Sequence, residues 1–221
     1  MKKKIIALAL AAVMVVLTLG LASCTGGDNT DPAGEGGTNA AKNGTLTVGF
    51  DAEFPPMGFK DDNGNYVGFD LDLAKEVAKR LNMDIKLQAI DWNSKDAELK
   101  NGNIDLIWNG FTMNSREDDY TWSDPYIDNS QVFVVAADSG IENKSDLAGK
   151  VVAVQKDSSA LAALNDEENK DNIALRDSFS QLIEYADYNT AFMDLEQGAV
   201  EAVAIDIGVA QYQICLLYTS P

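Results

Sequence analysis

The chain has 221 residues, with 17 Lys+Arg against 35 Asp+Glu, a formal net charge of −18 and no histidine. Without imidazole there is no Ser-His-Asp triad, no Cys-His dyad and no histidine zinc site. So acidic a balance argues against nucleic acid or an anionic membrane surface as a partner, since both need a basic face.

Lys2, Lys3 and Lys4 precede an apolar run over 5–21, and Leu21-Ala22-Ser23-Cys24 follows. A basic start, an apolar core and small residues before a cut site read as an export signal over 1–23. Residues 24–44 are rich in Gly, Thr, Asn and Asp without apolar periodicity, and read as a flexible tether. The only cysteines are Cys24 and Cys215, so no disulfide framework is expected despite an oxidising compartment.

Strands and helices alternate from there on. Residues 46–50 read as a strand. Asp62-Asn63-Gly64-Asn65 is a hairpin signal at the centre of 59–67. The acids and amides there could be stretched into a calcium loop, but the glycine falls off that pattern. Phe69-Asp70-Leu71-Asp72 opens a helix in which Leu73, Ala74, Val77, Ala78 and Leu81 recur at helical spacing. Its acids lie in the first turn and Lys79-Arg80 in the last. Residues 84–89 read as strand and 96–100 as helix. The nearly all-apolar 104–108 reads as a strand covered on both faces.

A second run starts at 132–137. A turn over 147–150 leads to a strand over 151–155 and a helix over 158–164 marked by Asp157-Ser158-Ser159. A helix over 189–197 stops at Gly198, and a strand follows over 201–205. Strands separated by helices predict parallel βαβ units. The two clusters predict an α/β fold of two lobes, 45–130 and 131–214, with a ligand cleft between them.

Gly68-Phe69-Asp70-Leu71-Asp72-Leu73-Ala74, with Val77-Ala78 and Leu81, resembles the signature helix of the family 3 extracellular solute-binding proteins, the polar amino-acid receptors of bacterial ABC importers. Four further segments agree in order. They are Asp51-Ala52-Glu53-Phe54-Pro55-Pro56-Met57, Gly110-Phe111-Thr112 with Arg116, Ser123-Asp124-Pro125-Tyr126, and residues 198–206. Leu21-Ala22-Ser23-Cys24 is similar to a lipobox. The resemblance implies a periplasmic-binding-protein-like fold of type II in a lipoprotein form. Cys24 would be lipidated, anchoring the chain to the outer face of the cell membrane. The implied partners are a free amino acid and an ABC permease, the implied state a monomer, with no cofactor or metal and no enzyme activity. The family pattern stops near Ile214. Residues 215–221 do not resemble its continuation, so a truncated or artefactual gene end is expected, with the final return to the first lobe missing.

Such a site must meet one carboxylate and one ammonium with opposite charges and hydrogen bonds. Of the three arginines, Arg80 ends an amphipathic helix and Arg176 lies in a polar stretch. Arg116 follows a buried strand and a Gly-Phe-Thr turn, and is the candidate for the ligand carboxylate. Its spacing from Thr112 is one residue shorter than the commonest family pattern, which predicts a different loop. Asp206 ends an apolar strand and is the candidate for the ammonium. Asn109, Gly110 and Thr112 would complete these bonds. Ser158 and Ser159 would add donors from a helix start. Phe54 and Trp92 would supply walls, and Trp108 and Trp122 read as core. The resemblance places Asp51 near the ligand side chain, and with Glu53 it leans toward a polar or basic amino acid. The alternatives on the same fold are a cyclohexadienyl-dehydratase-like enzyme, with Glu53 or Asp51 as its acid or base, and a ligand-sensing module.

Overall fold

The structure is a computed structural model and describes residues 44–219, with side chains as far as residue 216. The export signal, Cys24 and the tether up to residue 43 lie outside the described residues, as do residues 220–221.

The first lobe is built on a three-stranded parallel sheet. Its central strand β1 (Thr45–Phe50) pairs with β5 (Asp84–Ala89) on one side and β6 (Leu106–Ile107) on the other. An antiparallel hairpin of β2 (Glu53–Phe54), β3 (Gly58–Lys60) and β4 (Tyr66–Val67) follows β1. Asp61 closes its tip by accepting from the backbone N–H groups of Asn63 and Asn65 at 3.0 and 2.7 Å. The turn residues therefore serve a hairpin.

Helix α1 (Phe69–Arg80) begins at Gly68, whose φ of 137° and whose approach to Met57 leave no space for a Cβ. Its Ala74 and Ala78 lie on Leu46 and Val48 of β1. Helix α2 (Lys95–Lys100) returns the chain to β6. The strand expected over 104–108 is shorter in the ladder, although Asp105 and Trp108 extend the pairing by donating to Thr47 O and Gly49 O. Leu106 and Ile107 are half-buried, so β6 is not enclosed on both faces as its apolar run predicts.

The second lobe carries a four-stranded sheet in the order β7-β10-β8-β9. Here β7 (Gln131–Val134) is antiparallel to β10 (Ala202–Asp206), while β8 (Val151–Gln155) and β9 (Gln181–Tyr185) run parallel with it. Every residue of β10 is buried, as its central place requires. Helix α3 (Ser159–Leu164) covers one face; α5 (Tyr188–Glu196) covers the other through Tyr188, Ala191, Phe192 and Leu195. Each large apolar side chain buried there contributes about 1.5–3 kcal/mol. Helix α6 (Ile207–Thr219) follows β10 directly. Helix α4 (Lys170–Ser178) and strand β9 were not expected from the polar stretch they occupy. No residue of α4 is buried, so it carries no apolar stripe to reveal it.

Phe54 and Met57 of the first lobe pack into the core of the second, where the Phe54 and Tyr188 rings lie 6.0 Å apart. The ends of β1, β8 and β10 meet beside this contact.

Candidate functional site

A parallel strand delivers the residue after its carboxyl end to the crevice outside the sheet. Strand β1 delivers Asp51, which is buried. Asp51 N donates to Asn109 Oδ1 at 2.9 Å, which ties the end of β1 to the loop after β6. The Asp51 carboxylate accepts from Glu53 N at 2.9 Å and from Gln155 Nε2 at 2.7 Å. Burial pushes its carboxyl up, and these two donors pull it partly back.

Strand β10 delivers Asp206, also buried. It accepts from Gln131 Nε2 at 2.6 Å and from Asn129 Nδ2. Burial raises this carboxyl too, opposed by the two amides and by the positive charge of Arg116. The guanidinium is therefore within electrostatic reach of the acid. Asn129 Nδ2 donates also to Thr112 Oγ1 at 3.1 Å, which links the Arg116 loop to the Asp206 strand.

Arg116 is half-buried on a loop that turns through Ser115 in the left-handed region (φ 63°), with Arg116 N donating to Met113 O at 2.9 Å. The guanidinium stacks 5.0 Å from the Phe111 ring centre. It donates to Thr112 O at 3.4 Å and, across to the second lobe, to Asp157 O at 3.1 Å. Trp122 is no core residue: it is half-buried, donates to Arg116 O at 3.1 Å and packs on Phe111 and Tyr120. Its ring braces the arginine loop. Trp108 is half-buried against the apolar cluster under β1, close to its expected place.

On the second lobe Ser158 caps α3, its hydroxyl accepting from Leu161 N at 3.2 Å. Phe54, Trp92, Asn109, Gly110, Ser158, Ser159 and Asp206 line one cavity of about 10 Å³ with Phe111 and Gln155. That is room for about one water molecule. Asp51 and Arg116 abut the cavity through Gln155 and Phe111, and Thr112 through Asn129 and Asp206. Seven of the ten candidate residues thus line one cavity, while Asp51, Thr112 and Arg116 stand behind its lining. Among the described residues no group of three or more acidic or cysteine side chains could hold a metal ion.

Gln155, Asn129 and Gln131 were not singled out in the sequence, and Asp157 only as a mark of the helix start. Gln155 carried the same signal as Asp206, a polar residue closing an apolar strand. Asn129 and Gln131 carried none, because β7 brings them to Asp206 through antiparallel pairing, with Gln131 opposite Asp206 in register.

The chain is similar to several known proteins. The L-cystine-binding protein TcyJ of Escherichia coli K12 is 32% identical over 178 residues, 79% of this chain and 64% of TcyJ. The arginine-binding extracellular protein ArtP of Bacillus subtilis is 33% identical over 163 residues, 73% of this chain and 58% of ArtP. The chain therefore spans about three fifths of these relatives. A Streptococcus pneumoniae ABC uptake transporter substrate-binding protein, solved with histidine bound, superposes with a TM-score of 0.75 at 35% identity, covering 80% of this chain and 73% of that one. The fold is that of the type II periplasmic amino-acid-binding proteins. Residues 46–205 match the sequence profile of one family across both lobes, and the chain belongs to the bacterial extracellular solute-binding proteins, family 3.

Proposed function

We propose that the protein captures a free amino acid in this cleft and delivers it to the membrane permease of an ABC importer. The carrying observation is geometric: Asn129 Nδ2 donates both to Asp206 of the second lobe and, at 3.1 Å, to Thr112 Oγ1 on the Arg116 loop of the first, so the guanidinium loop and the acid meet at one cleft. A guanidinium fork and a carboxylate are the opposite charges that the two ends of a zwitterion need when they leave water.

In this reading Arg116 and Thr112 hold the ligand carboxylate, and Asp206 holds the ammonium with help from Asn109 and Gly110. Phe54 and Trp92 form apolar walls, while Ser158 and Ser159 close in from the second lobe. Asp51 and Gln155 sit toward the side chain, and the acid favours a polar or basic ligand. No bond is made or broken. The lobes part to admit the ligand and close on it, and the ligand shifts that equilibrium by touching both lobes only when closed. The protein works outside the cell as a monomer, held to the membrane by lipid on Cys24. Cys24→Ala then releases it from the membrane fraction.

The test is a thermal-shift panel of the twenty amino acids plus cystine, followed by calorimetry on those that raise the melting temperature. At least one binds wild type, and Arg116→Ala abolishes that binding with the circular dichroism spectrum unchanged. Unchanged affinity in the variant overturns the assignment. Turnover of a prephenate-type substrate overturns the binding-protein reading in favour of a dehydratase.

A further inference from the structure

Asp70 is fully buried in the first turn of α1 and lies outside the lining of the cleft. Its Oδ1 accepts from Tyr126 OH at 2.8 Å, and the Tyr126 oxygen accepts in turn from Gly110 N at 3.2 Å. An amide N–H can only donate, so the direction of this relay is fixed. The phenol oxygen serves Gly110, and the phenol proton goes to Asp70. Gly110 lines the cleft and begins the turn that leads through Thr112 to Arg116.

The backbone of the same helical turn holds a second part of the site. Phe69 N donates to Pro56 O at 2.9 Å and Asp70 N to Met57 O at 3.0 Å. Met57 N donates to Phe54 O at 3.0 Å, closing the turn that carries the Phe54 wall. Tyr126 belongs to the segment that runs on through Asn129 into β7, and its ring lies 6.3 Å from that of Phe69 and 6.2 Å from that of Trp108. The start of α1 thus meets three stretches of chain that each carry a cleft residue: Phe54, Gly110 and Asn129.

We infer that Asp70 and Tyr126 are positioning residues for amino-acid capture, holding Gly110 and the turn that leads to Arg116 in the geometry that receives the ligand. The inference rests on the amino-acid reading of the cleft. Gly110 needs such a hold: it turns through the left-handed region at a φ of 56°, and a glycine has the widest choice of other conformations. A hydrogen bond to its amide narrows that choice before the ligand arrives, so less ordering remains to be done on binding. Tyr126 does this only with Asp70, which takes the phenol proton and leaves the lone pairs facing the amide. With its N–H committed to Tyr126, Gly110 has its carbonyl to offer a ligand, and a carbonyl suits an ammonium.

The test compares four variants of the full chain. Tyr126→Phe keeps the ring and removes the hydroxyl. Asp70→Leu removes the acceptor at similar volume, whereas Asp70→Asn keeps an acceptor for the phenol proton. Ala78→Gly weakens α1 at its far end, where Ala78 packs on β1. Hydrogen exchange at the Gly110 amide is read by NMR without ligand, and affinity by calorimetry with the amino acid found by the panel. In Tyr126→Phe and Asp70→Leu the amide is expected to exchange about tenfold faster and affinity to fall about tenfold, the scale of one lost hydrogen bond. Asp70→Asn restores both readouts to wild type. Ala78→Gly lowers the melting temperature and leaves both unchanged, which a merely structural role of α1 would not allow. Wild-type affinity in Tyr126→Phe, or an equal loss of affinity in Ala78→Gly, overturns the inference. Should Asp70→Leu fail to fold, Tyr126→Phe and Asp70→Asn decide. A panel in which no amino acid binds wild type overturns the amino-acid reading and this inference with it; unchanged exchange at Gly110 in Tyr126→Phe overturns this inference alone.

Discussion

Gln155 Nε2 donates to Asp51 Oδ2 over 2.7 Å, joining the carboxyl ends of β8 and β1 across the cleft from two different sheets. Both side chains are buried, and burial already pushes the Asp51 carboxyl above its ordinary value. Gln155→Leu withdraws a donor from a desolvated carboxylate, which costs about 1–3 kcal/mol when the acid is ionised. The carboxyl then rises further, and protonating it relieves the charge. The loss, read from urea midpoints, is expected to be full at pH 7 and smaller at pH 4. An equal loss at both values would mean that the amide matters through packing alone.

Arg116 is held by the Phe111 ring, by Thr112 O and by Asp157 O, none of which requires a lysine-sized head. A lysine keeps the charge but not the planar fork that matches a carboxylate. Arg116→Lys is expected to weaken amino-acid binding about tenfold, and Arg116→Ala about a hundredfold or more, the scale for truncating one partner of a buried charge pair. Calorimetry on a ligand from the panel reads both. Equal losses in the two variants would show that the fork geometry, not the charge, sets the affinity.

Asp206 sets binding against stability. Its carboxylate is buried at the end of a fully buried strand, where desolvation opposes the charged form. Asp206→Asn keeps an acceptor for Gln131 or Asn129 and discards the charge. The variant is expected to lose about a hundredfold in affinity while its melting temperature at pH 7 rises by about 2–4 °C, the trade expected where a site is built at the expense of the fold. A fall in both would assign Asp206 to the scaffold.

Much of this arrangement was legible before the structure because it is local. Acids in the first turn and bases in the last framed α1, and an acid closing an apolar strand marked Asp206. Arg116 stood out because it follows an apolar strand and a Gly-Phe-Thr turn, whereas Arg80 ends an amphipathic helix and Arg176 lies in a polar stretch; in the structure those two pair on the surface with Glu76 and Asp177. What stayed hidden depends on pairing between distant segments. Asn129 and Gln131 reach Asp206 only through the antiparallel placement of β7, and Asp157 meets Lys95 only when the lobes meet. Trp122 read as core because a large ring usually is; its neighbours are instead Phe111, Tyr120 and the backbone of Arg116. Surface helix α4 left little trace, since none of its residues is fully buried and Leu175 reaches the core only in part.

The signature helix also carries a titrating group. Asp70 is fully buried, and its Oδ1 accepts from Tyr126 OH at 2.8 Å. The same hydroxyl accepts from Gly110 N at 3.2 Å, so α1 reaches the arginine loop through one tyrosine. Asp70 Oδ2 is buried without a partner. Desolvation pushes the carboxyl up to about 6 from an ordinary 3.8, against the pull of the tyrosine. The folded protein therefore holds this proton more tightly than the unfolded chain does. The stability tied to it is full below about pH 4 and is lost as pH rises through about 6, a change of about 2–3 kcal/mol. Asp70→Asn cannot ionise, so the difference in unfolding free energy between variant and wild type isolates this group from Asp51 and Asp206. That difference is expected to move in favour of the variant between pH 4 and pH 7 and to level off above it. A difference that stays flat across this range would mean that Asp70 is already ionised in the folded protein at pH 4, with a solvated path that its burial does not show.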